Sequence, residues 1–473
     1  MKFIQHIIEK IDDNLNPIVV KELRQAVQSR FVTGILMIFL ITLLITMAAF
    51  ITSGMIGTAQ YKGMGREVFS FLFPVFMVPS MLFVPAYTGT RMFRERTKEN
   101  MDLLFISTIS PAAIIRGKLL AGIIITLLIF SACLPFMTLT YLLRGVDLPS
   151  VFVILAMAFI AITIAIQFAL FIASVSFNRV FRSVLGIAGA GFIFGSCMSV
   201  IALGHEMLRS GVGSRLGSSD FWHPAAAVLI LAGLFTGFVH LVSVAAISHS
   251  SCNRAKTLRS YTTFAWIVTG IMAFVSGHYF SVYESVEIWF TLSVLTMGVW
   301  LTGAVSERDG QSTRVALTIP KAGIRRFTAF FFFSGAANGI AWVTAMTVIT
   351  FCATLFSDIS ESDFRTTAGI FLYHYCHTLF GLFIRRKFLQ KWVRPKFTWV
   401  VVLMIHTLAF VVPLFVGIFT SGSKYLPRMG KKLESGDIFG FVGIYAAVVI
   451  LLNLPWFVRQ VRGFVPPAKN HTD

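Results

Sequence analysis

The sequence predicts an all-α protein that crosses a membrane about twelve times, with an interfacial helix before the first crossing and a short helix in one cytoplasmic loop. Composition is the first reason, because 56% of the 473 residues are hydrophobic and only 13% are charged, whereas about a quarter of the residues in a soluble domain are charged. The mean hydropathy is +0.79. The second reason is the arrangement, in which apolar runs of about twenty residues recur along the chain.

These apolar runs place twelve spans, which we divide into a six-helix bundle over 31–248 and a second six-helix bundle over 249–473. The first run is too long for the apolar part of a cleavable signal peptide and is expected to be retained. The predicted spans are 31–53, 69–90, 119–143, 150–176, 183–204, 225–248, 261–280, 286–305, 328–356, 366–384, 398–420 and 439–458.

The basic residues predict the orientation of the chain. With a cytoplasmic N-terminus, the inside segments hold 30 of the 40 Lys and Arg residues, as the positive-inside rule requires. The outside segment 421–438 opposes the rule with four basic residues. We therefore expect a multi-pass protein of the inner cell membrane with both termini in the cytoplasm. The formal charge of +19 suits contact with anionic lipid, and since the basic residues are dispersed without a nucleic-acid-binding motif, no nucleic-acid partner is expected.

The spans carry no Asp, Glu, Lys or Arg near their middles, because all 40 basic and 21 acidic residues lie in loops or at span ends. Secondary transporters and ion-coupled pumps usually need such a residue, so energy is expected from another source, most simply a soluble ATPase. This chain is not expected to be that enzyme. It has no G-x-x-x-x-G-K-[ST] phosphate loop, and no cytoplasmic segment is long enough for a nucleotide-binding domain.

Residues 1–30 predict two short helices on the membrane surface. The apolar face of the first is formed by Phe3, Ile4, Ile7, Ile8 and Ile11. The second is capped by Asn16 and has Pro17 at its first position. Its predicted apolar stripe is Val19, Leu23, Ala26 and Val27, opposite Lys21, Arg24 and Gln28. A helix of this kind lies in the interface plane and turns into the first span.

The loop 91–118 is the most informative segment, because it is charged and helix-forming between two long apolar runs. Asn100 is a candidate N-cap of a short helix with Asp102 on its polar face. The apolar face of that helix is Met101, Leu104, Phe105 and Thr108. Ser110 and Pro111 then begin a second helix that continues into the next span. A short helix in this position can receive force from a soluble motor, or it can simply link two spans.

This loop, together with the segment NPIVVKELRQAVQSR at 16–30, resembles the permease subunits of ATP-binding-cassette transporters of the type-2 exporter class. The resemblance covers about the first third of the chain. Its loop pattern is matched by Glu95, Arg96, Asp102, Leu103, Leu104, Ser107, Ser110, Ile114, Gly117 and Lys118. The residues that resemble the connecting helix of that class are Asn16, Pro17, Lys21, Glu22 and Arg24.

The resemblance implies a transport subunit that exports a hydrophobic or amphipathic substrate. Its partner would be a soluble ABC-type ATPase that carries the ATP and Mg²⁺, so this chain would bind no cofactor itself. ATPase coupling would fall to the loop, with Phe105 and Pro111 among its residues. The assembly would be a homodimer or a heterodimer. Two alternatives remain open, a secondary transporter or channel without an ATPase and a membrane scaffold or assembly factor, since the spans offer no legible substrate site.

The second half is either a diverged copy of the first or an appended bundle. Its loop contains Glu307-Arg308, which resembles Glu95-Arg96, but it lacks the Asp-Leu-Leu core of the first loop. Within span ten, His374, Cys376 and His377 have a spacing that could ligate a metal. No third ligand is evident in the sequence, so we expect histidines satisfied within the bundle and no metal.

Overall fold

The computed structural model describes residues 17–56, 64–95, 109–175, 179–249, 251–280, 282, 284–357, 359–421 and 437–467. This part of the chain is helical and contains no β-strand. Two compact units, Met1–His249 and Ser250–Asp473, divide the chain one residue from the boundary expected from the sequence. Eleven of the described helices are long and apolar enough to cross a membrane. The all-α, polytopic membrane architecture is therefore confirmed.

Unit 1 contains a short helix followed by six long ones within its described residues. They are α1 (Pro17–Val27), α2 (Arg30–Ile56), α3 (Met64–Glu95), α4 (Pro111–Leu142), α5 (Leu148–Ser174), α6 (Arg179–Ser210) and α7 (Ser219–Ile247). The predicted first surface helix and the predicted short helix of the 91–118 loop lie outside the described residues, which omit 1–16 and 96–108.

Unit 2 contains two short helices and six longer ones within its described residues. They are α8 (Arg254–Tyr279), α9 (Ser285–Ala304), α10 (Thr313–Ala316), α11 (Gly323–Phe332), α12 (Ala336–Thr354), α13 (Glu361–Lys387), α14 (Thr398–Ser421) and α15 (Asp437–Gly463). Helix α14 coincides with the predicted span 398–420. It is not among the eleven, because the apolar helical stretch Pro395–Ala409, which includes the turn before α14, is shorter than a full span.

Helix α3 lies at the centre of unit 1 and packs most extensively on α5 and α4. Phe73, Phe76 and Met77 are at most 1% exposed and supply its large core side chains. Gly122 of α4 allows the close approach, because a Cβ at that position would lie 3.0 Å from side-chain atoms of Thr88 and Ile166. Long apolar side chains cover the outer surface instead of charges, as expected for helices that face lipid.

The ninth predicted span, 328–356, is wrong as a single helix. The chain forms α11 and α12, which are separated at 333–335. Gly335 adopts a φ of 144°, a backbone conformation that residues with a Cβ rarely adopt. A Cβ on Gly335 would also lie 2.5 Å from Asn338 Oδ1. A glycine at this position therefore permits the break.

Side chains from neighbouring segments satisfy the backbone groups that the break exposes. The guanidinium of Arg259 donates to the carbonyl oxygens of Phe331 at 3.1 Å and Phe333 at 2.6 Å. Its other terminal nitrogen pairs with Glu307 Oε1 at 2.6 Å, and Glu307 Oε2 accepts the Gly335 N–H at 2.6 Å. Unpaired backbone groups are costly in an apolar environment, so Arg259 and Glu307 stabilise the broken helix.

Candidate functional site

An ionic network joins three elements of unit 1 where α3 ends, α4 begins and α1 packs against both. Lys118 of α4 is 2% exposed. Its Nζ lies 2.5 Å from Glu22 Oε1 on α1 and 2.7 Å from Glu95 Oε2 at the end of α3. Lys21 Nζ approaches the other oxygen of Glu95 at 2.7 Å. One buried ammonium group thus links α1 to the end of α3 and to the first turns of α4.

Arg91 adds a second cation on the α3 side of this network. Its Nε lies 3.6 Å from Glu22 Oε2, and its Nη2 donates to Gln25 Oε1 at 2.6 Å. Its Nη1 donates to the Tyr87 hydroxyl at 3.1 Å. Arg91 and Glu95 are four residues apart, which puts both on one face of α3. That spacing is the signal by which the sequence could have identified Arg91 as part of the site.

Helix α1 is rotated relative to the predicted stripe. Its buried residues are Val19, Glu22 and Ala26, whose spacing of three and four places them on one helical face. Val27, predicted to be in the apolar stripe, is 75% exposed. Glu22 was not included in the predicted inner face, whereas its charge is matched by Lys118 inside the protein.

The start of α4 follows the sequence prediction. Pro111 is its first residue, and Ser110 is the N-cap whose Oγ accepts the Ala113 N–H at 3.2 Å. Proline fits the first turn because its missing N–H would have no helical partner there. Gly117 is buried beside Lys118 on the inner face of α4. Both ends of the 96–110 segment are thus fixed by interactions that the sequence pattern contains.

The structure brings some of the predicted site residues together and leaves others outside its described part. Lys21, Glu22, Glu95 and Lys118 meet in the network. Pro17 begins α1 and Arg24 is exposed on it. The remaining predicted residues lie outside the described residues and are Asn16, Arg96, Asp102, Leu103, Leu104, Phe105 and Ser107.

The buried part of the network depends on complete pairing. Removing one partner from a buried ion pair leaves an uncompensated charge and typically costs about 3–5 kcal/mol. Exposed pairs contribute only about 0–1 kcal/mol. The Lys118–Glu22 contact is of the first kind, with side chains 2% and 6% exposed. The Lys21–Glu95 contact is of the second kind, because the lysine side chain is 54% exposed.

Comparison with protein-family models, with curated proteins and with solved structures finds no match to this chain.

Unit 2 has a charged cluster of a different design. Glu307 follows α9 as Glu95 ends α3, but its cationic partner is Arg259 on the preceding helix, α8. The Glu307 cluster supports a helix break, whereas the Glu95 cluster joins α1, the end of α3 and α4. Nearby, burial raises the pKa of Asp309, and the charges of Arg385 and Arg386 offset this effect only in part. The local resemblance between the two loops does not extend to the same set of contacts.

The histidines of the tenth predicted span have a neighbour that the sequence did not reveal. The ring of His406 on α14 lies 4.9 Å from that of His374 and 5.3 Å from that of His377, measured between centroids. Within the described residues, no group of three His, Cys, Asp or Glu side chains could hold a metal ion. The absence of Asp, Glu, Lys and Arg from the middles of the predicted spans argued against ion coupling, but that count did not include histidines.

Proposed function

We propose that this chain is the permease subunit of an ATP-binding-cassette transporter of the type-2 exporter class. A separate soluble ATPase docks on the segment between Glu95 and Pro111 and hydrolyses the ATP. The chain itself binds no nucleotide and exports a hydrophobic or amphipathic substrate through a dimeric assembly. The multi-pass helical architecture and the match of the 91–118 loop to the pattern of that class support the proposal.

The observation that carries the proposal is the position of Lys118. Its ammonium group contacts Glu22 and Glu95 at 2.5 Å and 2.7 Å, so the connecting helix, the end of α3 and the start of α4 are joined at one point. A loop that merely links two spans does not need this third element. Force applied to the 96–110 segment would reach all three helices together, which is the mechanical requirement for coupling a soluble motor to spans.

The docking contact is expected to be apolar. Leu104 and Phe105 share the predicted apolar face of the short helix, and burial of each large side chain in a cleft contributes about 1.5–3 kcal/mol. Replacing both with serine should weaken ATPase binding by at least about a hundredfold. Membrane insertion should be unchanged, because neither residue belongs to a predicted span.

The test is affinity purification of the full chain from membranes of its own host in mild detergent, with the ATPase identified by its peptides. The matched control is the Ile324→Ser, Phe327→Ser variant, because these apolar residues are 84% and 67% exposed in the corresponding unit 2 loop. We expect Leu104→Ser with Phe105→Ser to lose a cassette ATPase that the parent and the control retain. Equal recovery from all three proteins would mean that the 91–118 loop does not dock the ATPase.

A further inference from the structure

A histidine pair lies within the membrane-spanning part of unit 2. His374 is the central residue of the 27-residue helix α13, and His406 is on α14, which packs against it. His374 Nδ1 and His406 Nε2 are 3.0 Å apart. The outer nitrogens of the pair face backbone oxygens, with His374 Nε2 at 2.9 Å from Gly298 O and His406 Nδ1 at 2.8 Å from Val402 O.

These contacts determine how many protons the pair holds. A carbonyl oxygen can only accept a hydrogen bond, so both outer nitrogens must carry a proton. The inner nitrogens need one further proton between them to form the 3.0 Å hydrogen bond. Two neutral imidazoles carry two protons in total, and this arrangement requires three. With all three of these hydrogen bonds formed, the His374–His406 pair would carry one positive charge.

Other ring placements satisfy the pair less well. Turning the His406 ring by half a rotation would put carbon atoms toward both His374 and Val402 and would lose both hydrogen bonds. A neutral pair holds two ring protons and therefore lacks one of three hydrogen bonds: the one between the rings, the one from His374 to Gly298 or the one from His406 to Val402. The Thr302 hydroxyl lies 3.1 Å from His374 Nε2 and 3.2 Å from the Gly298 oxygen, so it can donate to His374 Nε2 when that nitrogen has lost its proton.

The titratable neighbours of the pair are histidine, tyrosine and cysteine side chains. His377 on α13 is buried, and its Nδ1 lies 2.8 Å from the Tyr373 oxygen. The other titratable side chains of the surroundings are Tyr373, Tyr375 and Cys376 on α13 and Tyr445 on α15. Helix α9 presents Gly298 and Thr302 to the pair. The contacts of the described residues place no carboxylate against the pair, so the extra proton is held by imidazole and carbonyl groups.

A groove gives the pair a route to the exterior of unit 2. Its volume is about 710 Å³, and its lining includes His374, Thr302, Ser306 and Thr367. These hydroxyl groups, together with that of Thr291, can solvate a proton or a water molecule on a mostly apolar surface. Gly298 also lines the groove, and a Cβ at this position would lie 3.3 Å from His374 Cδ2. The absence of a side chain here lets the ring approach the backbone oxygen.

We propose that His374 and His406 form a proton-binding site in the membrane-spanning part of unit 2. Release of the proton removes one of three hydrogen bonds, between the rings, from His374 to Gly298 or from His406 to Val402. Loss of either of the first two loosens the packing of α14 or α9 against α13. Intramembrane histidines serve as proton relays in pumps and transporters. This inference goes beyond the proposed ATPase coupling and does not depend on it.

The test is nitrogen-15 NMR of the full chain labelled at its ten histidines and reconstituted in nanodiscs, titrated between about pH 5 and 8, the interval around the ordinary histidine range. We expect His374 and His406 to share one titrating proton. In His406→Gln, the titration midpoint of His374 should move by at least about one pH unit. The exposed His205, whose Nδ1 lies 3.3 Å from a carbonyl oxygen of its own helix, gives the control variant His205→Gln, which should leave that midpoint unchanged.

A second pair of variants tests the geometry without removing a histidine. Gly298→Ala should shift the His374 midpoint, because the added methyl group meets the ring. Gly303→Ala on the same helix should not, because nothing lies within 4 Å of its added Cβ. The proposal would be overturned by a parent spectrum in which both rings stay neutral over the whole range, by a His374 titration that ignores His406, or by a spectrum that changes when a chelator removes a bound metal.

Discussion

Lys118 is the residue on which the functional site of unit 1 depends. The sequence identified it as the end of a loop motif, but its partner Glu22 is 96 residues away along the chain. A pattern read within one loop contains no information about that distance. Glu22 was assigned to the correct helix but was not expected inside the protein, because an isolated carboxylate is rarely buried. Only the folded arrangement shows that the two charges compensate one another.

Lys118→Met should destabilise unit 1 by about 3–5 kcal/mol, because it removes the nearest cation from the buried Glu22 and leaves only Arg91, at 3.6 Å. Lys21→Met is the matched control from the same network and should cost at most about 1 kcal/mol, since that lysine is exposed. Adding Glu22→Gln to Lys118→Met should recover part of the loss. Unfolding of each variant in mixed detergent micelles gives these free energies. Equal stability of the two lysine variants would show that the buried pairing contributes nothing.

At the scale of elements, features set by neighbouring residues in the sequence were predicted well. Contacts between residues far apart in the sequence were not. Ser110 and Pro111 specify the start of α4 through their own chemistry, and the structure confirms it. The break between α11 and α12 was missed because the apolar run at 330–333 and the small residues after it fit one continuous hydropathy window. Gly335 was a visible hint. The side chains that make the break tolerable, Arg259 and Glu307, come from other segments.

Gly335→Ala should strain the break, because an alanine must adopt a φ of 144° and its Cβ would approach Asn338 Oδ1. Backbone strain of this kind costs on the order of 1–3 kcal/mol. Gly323→Ala is the control, since nothing lies within 4 Å of its added Cβ. The measurement is thermal unfolding of detergent-purified protein. A Gly335→Ala variant as stable as Gly323→Ala would mean that α11 and α12 can join without cost.

At the scale of the whole molecule, hydropathy predicted twelve spans, and eleven of them overlap described helices that are long and apolar enough to cross a membrane. The agreement arises because lipid imposes a length and an apolar composition on each span. A partner protein or a transported substrate imposes no comparable pattern on the amino-acid composition. His374 and His406 show the limit most clearly, because they lie in different apolar runs and only the packing of α13 on α14 brings them together.

The distribution of basic residues predicts that both termini and the loops at 306–327 and 385–397 face the cytoplasm. Single cysteines at the exposed positions Ser214, Gly310 and Gln390 test this with a membrane-impermeant thiol reagent. Position 214 should react in intact cells, and positions 310 and 390 only after permeabilisation. Labelling of position 310 in intact cells would show that the second half has the opposite orientation to the predicted one.

The most direct measurement of ATPase coupling is site-specific crosslinking from Phe105. A Phe105→Cys variant in which the five native cysteines are replaced would carry a thiol-linked photocrosslinker in membranes of its own host. Ile324→Cys with the same reagent is the control. We expect a covalent product at position 105 that contains peptides of a soluble cassette ATPase, and no such product at position 324. A position 105 product that contains lipid but no ATPase would contradict the assignment of this chain as an ATPase-coupled permease.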